Sequence, residues 1–84
     1  MQRITQKQLE SLARDINEEQ GKPLEARADG SWNVGSVYID YANGGVALFR
    51  IVDENGTVND LLGGHMPKRD LYHRMMGFLR ISWL

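Results

Sequence analysis

Ser36-Val37-Tyr38-Ile39-Asp40-Tyr41-Ala42-Asn43-Gly44-Gly45-Val46-Ala47-Leu48-Phe49-Arg50-Ile51 is the stretch that decides the fold. Val37, Ile39 and Tyr41 alternate with Ser36, Tyr38 and Asp40, and Ala47, Phe49 and Ile51 alternate with Val46, Leu48 and Arg50. Successive side chains on a strand point to opposite faces, so each half of the stretch reads as a strand with two distinct sides. Between them, Asn43-Gly44-Gly45 supplies residues that tolerate the positive φ of a tight turn. The two halves therefore form an antiparallel hairpin.

Working outward, Asp29-Gly30 and Glu54-Asn55-Gly56 are further turn signals of the same kind. They bound an expected third strand from Thr57 to Leu62 and an extra strand from Leu24 to Ala28 at the start. Both flanks of this region read as helix. Thr5 is an N-cap residue, Gln8 completes a capping box, and Ile4 with Leu9 fits a hydrophobic staple. Leu9, Leu12, Ala13 and Ile16 then repeat at i, i+3, i+4 and i+7, one apolar stripe. Gly21 suits the position after the helix, and Pro23 prevents continuation. The spacing predicts a helix from about Thr5 to Gln20. A second helix begins at Pro67, where a missing N–H costs nothing, and carries Leu71, Tyr72, Met75, Phe78 and Leu79 as far as Ser82. Gly77 weakens it by about 1 kcal/mol relative to alanine.

The predicted fold class is α+β. A three- to four-stranded antiparallel meander is flanked by an N-terminal and a C-terminal helix, α-β-β-β-α, as a two-layer sandwich. Residues 1–84 make a single domain, because a chain this short has no room for a second core. The net charge is −1, which exerts no general pull on nucleic acid or anionic lipid. Without cysteine there is no disulfide framework, thiolate metal site or thiol nucleophile. The chain contains no apolar run of the roughly 18–20 residues that a membrane span needs. Its polar opening lacks the apolar core of a secretion signal, so it is expected to stay where it is made.

Catalytic patterns are not evident. Ser11, Ser31, Ser36 and Ser82 occupy no nucleophile-elbow context, and no histidine pairs recognisably with any of them. His65 and His73 with Asp60 and Asp70 match no established metal-ligand spacing. Asp40, Asp53, Glu54 and Asp60 are read as solvated turn and strand-edge carboxylates. No enzyme activity, cofactor or metal is expected.

Two binding surfaces are candidates. Gly63-Gly64-His65-Met66-Pro67-Lys68-Arg69 is a glycine loop entering a helix, where backbone N–H groups and the positive dipole end favour an anion. Arg69, His73 and Arg80 fall within about 40° of one another at roughly 100° per residue. With Lys68 and Arg74 they make a candidate anion or nucleic-acid face: Lys68, Arg69, His73, Arg74 and Arg80. Asp70 interrupts the cations, and the lysine-serine/threonine pair of a P-loop is missing. The other candidate is aromatic. Tyr38, Tyr41, Tyr72 and Trp83 are assigned to a protein interface, since exposed tyrosine and tryptophan are common anchors. Trp32 and Trp83 also fit as caps on the ends of a small core.

Several words of the sequence resemble a known family. Ile4-Thr5-Gln6-Lys7-Gln8-Leu9-Glu10, Ile16-Asn17 and Gly21-Lys22-Pro23-Leu24-Glu25 look like the opening of a small protein family encoded by tailed bacteriophages and prophages. The likeness continues through Tyr41-Ala42-Asn43-Gly44-Gly45-Val46-Ala47-Leu48 and Gly64-His65-Met66-Pro67-Lys68-Arg69-Asp70-Leu71-Tyr72. It implies a phage gene product acting in the cytoplasm of a bacterial host, and carries over no functional residues. The element order is also similar to that of a double-stranded RNA-binding domain. That module's lysine-alanine run and glycine-proline-histidine loop are absent here, and fold alone does not fix function. The expectation is a non-enzymatic accessory protein, monomer or homodimer, that binds a host or phage protein. Nucleic-acid binding through the basic helix face is the alternative.

Overall fold

A computed structural model describes residues 3–82 of the chain, with side chains described within 3–80. In chain order the elements are α1 (Gln6–Glu19), β1 (Arg27–Ala28), β2 (Ser31–Trp32), β3 (Val37–Ala42), β4 (Gly45–Ile51), β5 (Val58–Asp60) and α2 (Lys68–Ser82). Local chemistry accounts for most of their limits. The Thr5 hydroxyl accepts from the Gln8 N–H at 3.2 Å, and the Gln8 side chain accepts from the Thr5 N–H at 2.8 Å. This reciprocal cap satisfies two donors that the helix itself cannot. At the other end Gly21 turns to φ 69°, its N–H donates to Glu18, and the Lys22 N–H donates to Asn17. That pair of bonds is a Schellman closure. α2 starts one residue later than expected: the Pro67 carbonyl accepts from the Leu71 N–H at 3.1 Å, so proline caps the first turn.

Positive φ at both central residues, as a two-residue type I′ turn requires, occurs at Asp29 (53°) with Gly30 (77°) and at Asn43 (53°) with Gly44 (76°). The second turn sets the register of β3 on β4, with Ala42 opposite Gly45, Asp40 opposite Ala47 and Tyr38 opposite Phe49. β5 pairs with the other side of β4, giving the order β3-β4-β5. The chain before β3 departs from a fourth meander strand. β1 and β2 pair only with each other, as a separate two-stranded sheet.

Both helices pack on one face of the larger sheet. Leu9, Leu12, Ala13 and Ile16 of α1 and Leu71 and Met75 of α2 meet Val37, Ile39, Val46 and Leu48 in a single buried cluster. Asn17 is the polar exception at 0% exposure. Its side-chain oxygen accepts from the Val37 N–H at 2.7 Å, and its amide donates to the Val37 carbonyl at 3.0 Å and the Leu24 carbonyl at 3.3 Å. A side chain here takes the place of a neighbouring strand. The result is the expected α+β two-layer arrangement, with the second face of the sheet left without a helix.

Candidate functional site

Period-2 alternation that sends Val37, Ile39, Val46 and Leu48 towards the helices sends Tyr38, Asp40, Ala47, Phe49 and Ile51 the other way. On that second face the rings form a continuous row. Trp32 lies 6.1 Å from Tyr38, Tyr38 stands 6.0 Å from Phe49 at 90°, and Phe49 stands 5.7 Å from His65 at 80°. Edge-to-face contacts of this kind suit the ring quadrupoles. Trp32, Tyr38 and Phe49 are half-buried.

Each member is held by an identifiable device. Trp32 is delivered by the small β1–β2 hairpin, and the Arg27 guanidinium sits 4.9 Å above its ring. Gly56, at φ 87°, lies against the indole: a Cβ there would come within 2.6 Å of Trp32 Nε1. Any larger residue at 56 displaces the tryptophan. His65 reaches the row from the loop before α2, and its Nε2 lies 2.8 Å from Asp40 Oδ2. Burial, and then the Asp40 carboxylate, push the Tyr38 hydroxyl above its ordinary pKa.

The glycine loop presents a different picture from an open anion cradle. Leu62 and Gly63 both donate their N–H groups to Asp60 Oδ1 at 3.2 Å. The Gly64 N–H, and then those of Leu62 and Gly63, hold the Asp60 carboxyl below the usual carboxylate range. The backbone donors expected to meet a phosphate are thus occupied by a carboxylate of the chain. Lys68, Arg69, His73, Arg74 and Arg80 are all exposed on α2. Arg74 turns back to donate to the Leu62 carbonyl at 3.1 Å, and His73 lies edge-on to Tyr72 with ring centres 5.9 Å apart.

The four aromatic interface residues are not gathered into one patch. Tyr38 belongs to the row. Tyr41 is on the helix side, where its hydroxyl donates to Glu10 Oε2 at 3.0 Å. Burial, with that hydrogen bond and the Glu10 charge, pushes its pKa up to about 12. Tyr72 is half-buried against the core cluster. Trp83 lies outside the described residues. His65 is engaged with Asp40, and among the described residues no group of three His, Cys, Asp or Glu side chains is arranged to hold a metal ion.

Sequence reasoning missed Phe49, His65 and Arg27 as members of the surface and placed Trp32 at the end of the core. A signal for Phe49 was present, since an Asn43-Gly44 turn puts residue 49 directly opposite 38. For His65 there was none, because Asp40 is 25 residues away. Among the described residues no helix is long and apolar enough to cross a membrane. No protein-family model, curated protein or solved structure matches the chain.

Proposed function

We propose that this chain is a non-enzymatic phage accessory protein that works in the cytoplasm of a bacterial host and binds a host or phage protein through the open face of its sheet. One observation carries the reading: the row Trp32–Tyr38–Phe49–His65 lies on the side of the sheet that no helix covers. Half-buried aromatic rings, already fixed by their neighbours, lose little side-chain freedom on contact and bring large apolar area to it. The phage setting rests on the resemblance of the quoted sequence words to a tailed-phage family.

The test is affinity capture from host lysate, infected and uninfected, with the whole chain as bait beside a Tyr38→Ser/Phe49→Ser variant. A partner retained by the first and lost by the second, at both low and high salt, supports the proposal. Retention by both variants alike refutes it. The second reading, nucleic-acid binding through Lys68, Arg69, His73, Arg74 and Arg80, draws on their common exposure on α2. Phosphate-driven binding weakens steeply as salt rises, whereas an aromatic contact does not. An Arg69→Glu/Arg80→Glu variant that keeps its nucleic-acid affinity would falsify this second reading. Light scattering of the same samples distinguishes monomer from homodimer.

A further inference from the structure

The outer edge of β3 changes character along its length. In an antiparallel pair, backbone groups of alternate residues point to the partner strand and those between point away. Val37 gives both its N–H and its C=O to the Asn17 side chain, so its groups point away from β4. Ile39 and Tyr41, two and four residues further on, point the same way. The segment beside this edge is anchored at its start, where Ser36 Oγ donates to the Pro23 carbonyl at 2.6 Å and Asn17 reaches Leu24, and at its end, where Asn33 donates to the Glu25 and Ala26 carbonyls at 2.8 and 2.9 Å, and none of these bonds is made to Ile39 or Tyr41. Among the described residues, no bond outside the β3–β4 ladder reaches the backbone of Ile39 or Tyr41. Two N–H and two C=O groups therefore face outward on an edge strand, which is the template for pairing with another chain.

This edge also has a seat beside it. A groove of roughly 330 Å³ runs between α1, residues 24–26 and β3, lined by Glu10, Arg14, Leu24, Glu25 and Ile39 among others. Leu24, 40% exposed, lines it, and Tyr41, 42% exposed, donates its hydroxyl to Glu10 of the lining. Among the described residues Arg14 is the only cation in the lining and is bound to Glu25, so Glu10 leaves the groove with an excess of negative charge. A second copy of this chain is a poor occupant. Two β3 edges paired through Ile39 and Tyr41 would set each copy's Asp40 against the other's, and like charges directly opposite are destabilising.

We infer that the edge of β3 from Ile39 to Tyr41 is a strand-addition site for an extended, lysine- or arginine-bearing segment of a partner protein. The partner's backbone completes the four unpaired groups, and its basic side chains meet Glu10 and the Glu25 side of the groove. This inference rests on the reading of the chain as a protein-binding module, but it uses a different surface from the aromatic row, so the two can fail separately.

The experiment is selection of a random twelve-residue peptide display library on the full chain, followed by amide exchange and titration with the best peptide. Enriched peptides are expected to carry basic residues at alternating positions. At saturation the amides of Ile39 and Tyr41 should exchange about tenfold more slowly or better. Glu10→Lys, an exposed change, should weaken the peptide about tenfold. Tyr41→Pro, which deletes an outward N–H that an edge strand can lose, should abolish binding. Amide exchange on the unaltered chain answers the same question if the proline variant does not fold. Enriched peptides that protect neither amide and lose affinity with Phe49→Ser overturn the edge site while leaving protein binding intact. No enrichment above background also overturns it, and capture by the aromatic face is then decided by the lysate test alone.

Discussion

The two faces of the β3-β4-β5 sheet are built from the same strands and yet do opposite things. Towards the helices the sheet presents Val37, Ile39, Val46 and Leu48, all aliphatic and all at or below 8% exposure. Away from them it presents Tyr38, Phe49 and the His65–Asp40 pair, none of which is fully buried. Ala47 and Ile51 lie on this second side at 0%, so it is partly sealed by its own rings and not simply exposed. Aliphatic side chains fill a closed space densely and specify a core. Rings with polar partners keep their positions even without a lid, which is what a surface held ready for contact requires. The comparison teaches that covering a sheet is not the only way to order its side chains.

The largest effect should come from the covered face. Leu48→Ala deletes a side chain at 0% exposure and is expected to cost about 3 kcal/mol, read by urea denaturation. Phe49→Ala, one residue along and on the other side, should cost about 1–2 kcal/mol, since only part of its surface leaves water on folding. If Phe49→Ala proved as damaging as Leu48→Ala, the open face would be a second core and not a binding surface. Asn17→Ala is of similar size: it strands the Val37 N–H without a partner, at about 1–2 kcal/mol. The same change should make the β3 edge exchange faster from Val37 onward.

Gly56→Ala sharpens the comparison from below the row. It forces a Cβ to within 2.6 Å of Trp32 Nε1 at φ 87°, at about 1–2 kcal/mol, and should shift tryptophan fluorescence while the helices stay intact. The smallest effect is electrostatic. The backbone N–H of Gly64 is the leading cause that lowers the Asp60 pKa, while a hydrogen bond with Thr57 does the same for Asp53. A carboxyl depressed in the folded state contributes stability above its unfolded pKa of about 4, and that contribution fades as pH falls through the folded value. Asp60 is exposed and Asp53 only half-buried, so the acid-side slope is shallow, and Asp60→Asn should flatten it further in pH-dependent melts.

Features fixed by neighbours in the chain were legible without coordinates. The Thr5–Gln8 cap, the Leu9–Ile16 stripe and the Gly21 stop required only local rules, and α1 runs as they require. Asn43-Gly44 also made the register of the hairpin countable. The strands of the β1–β2 hairpin are two residues each, too short to show alternation, so its separation from the meander left no trace in the sequence. Contacts over long separations were equally silent. Nothing near Asn17 announces that it will serve Val37, and nothing near Asp60 announces that it will fill the glycine loop. Tyr38, Tyr41 and Tyr72 read alike as aromatic residues, but three different surroundings give them three different tasks.

Val46 and Met66 exchange backbone bonds of 2.8 and 2.9 Å, and a Cβ on Gly45 would press to within 3.2 Å of the Met66 backbone. This clasp joins the middle strand to a residue synthesised long after it. The first helix and the central hairpin precede position 66 in the chain, and Leu71 and Met75 follow it. Closure of the hydrophobic interior therefore needs residues as far along the chain as Met75. A product cut short before that point would keep its aliphatic sheet surface wet.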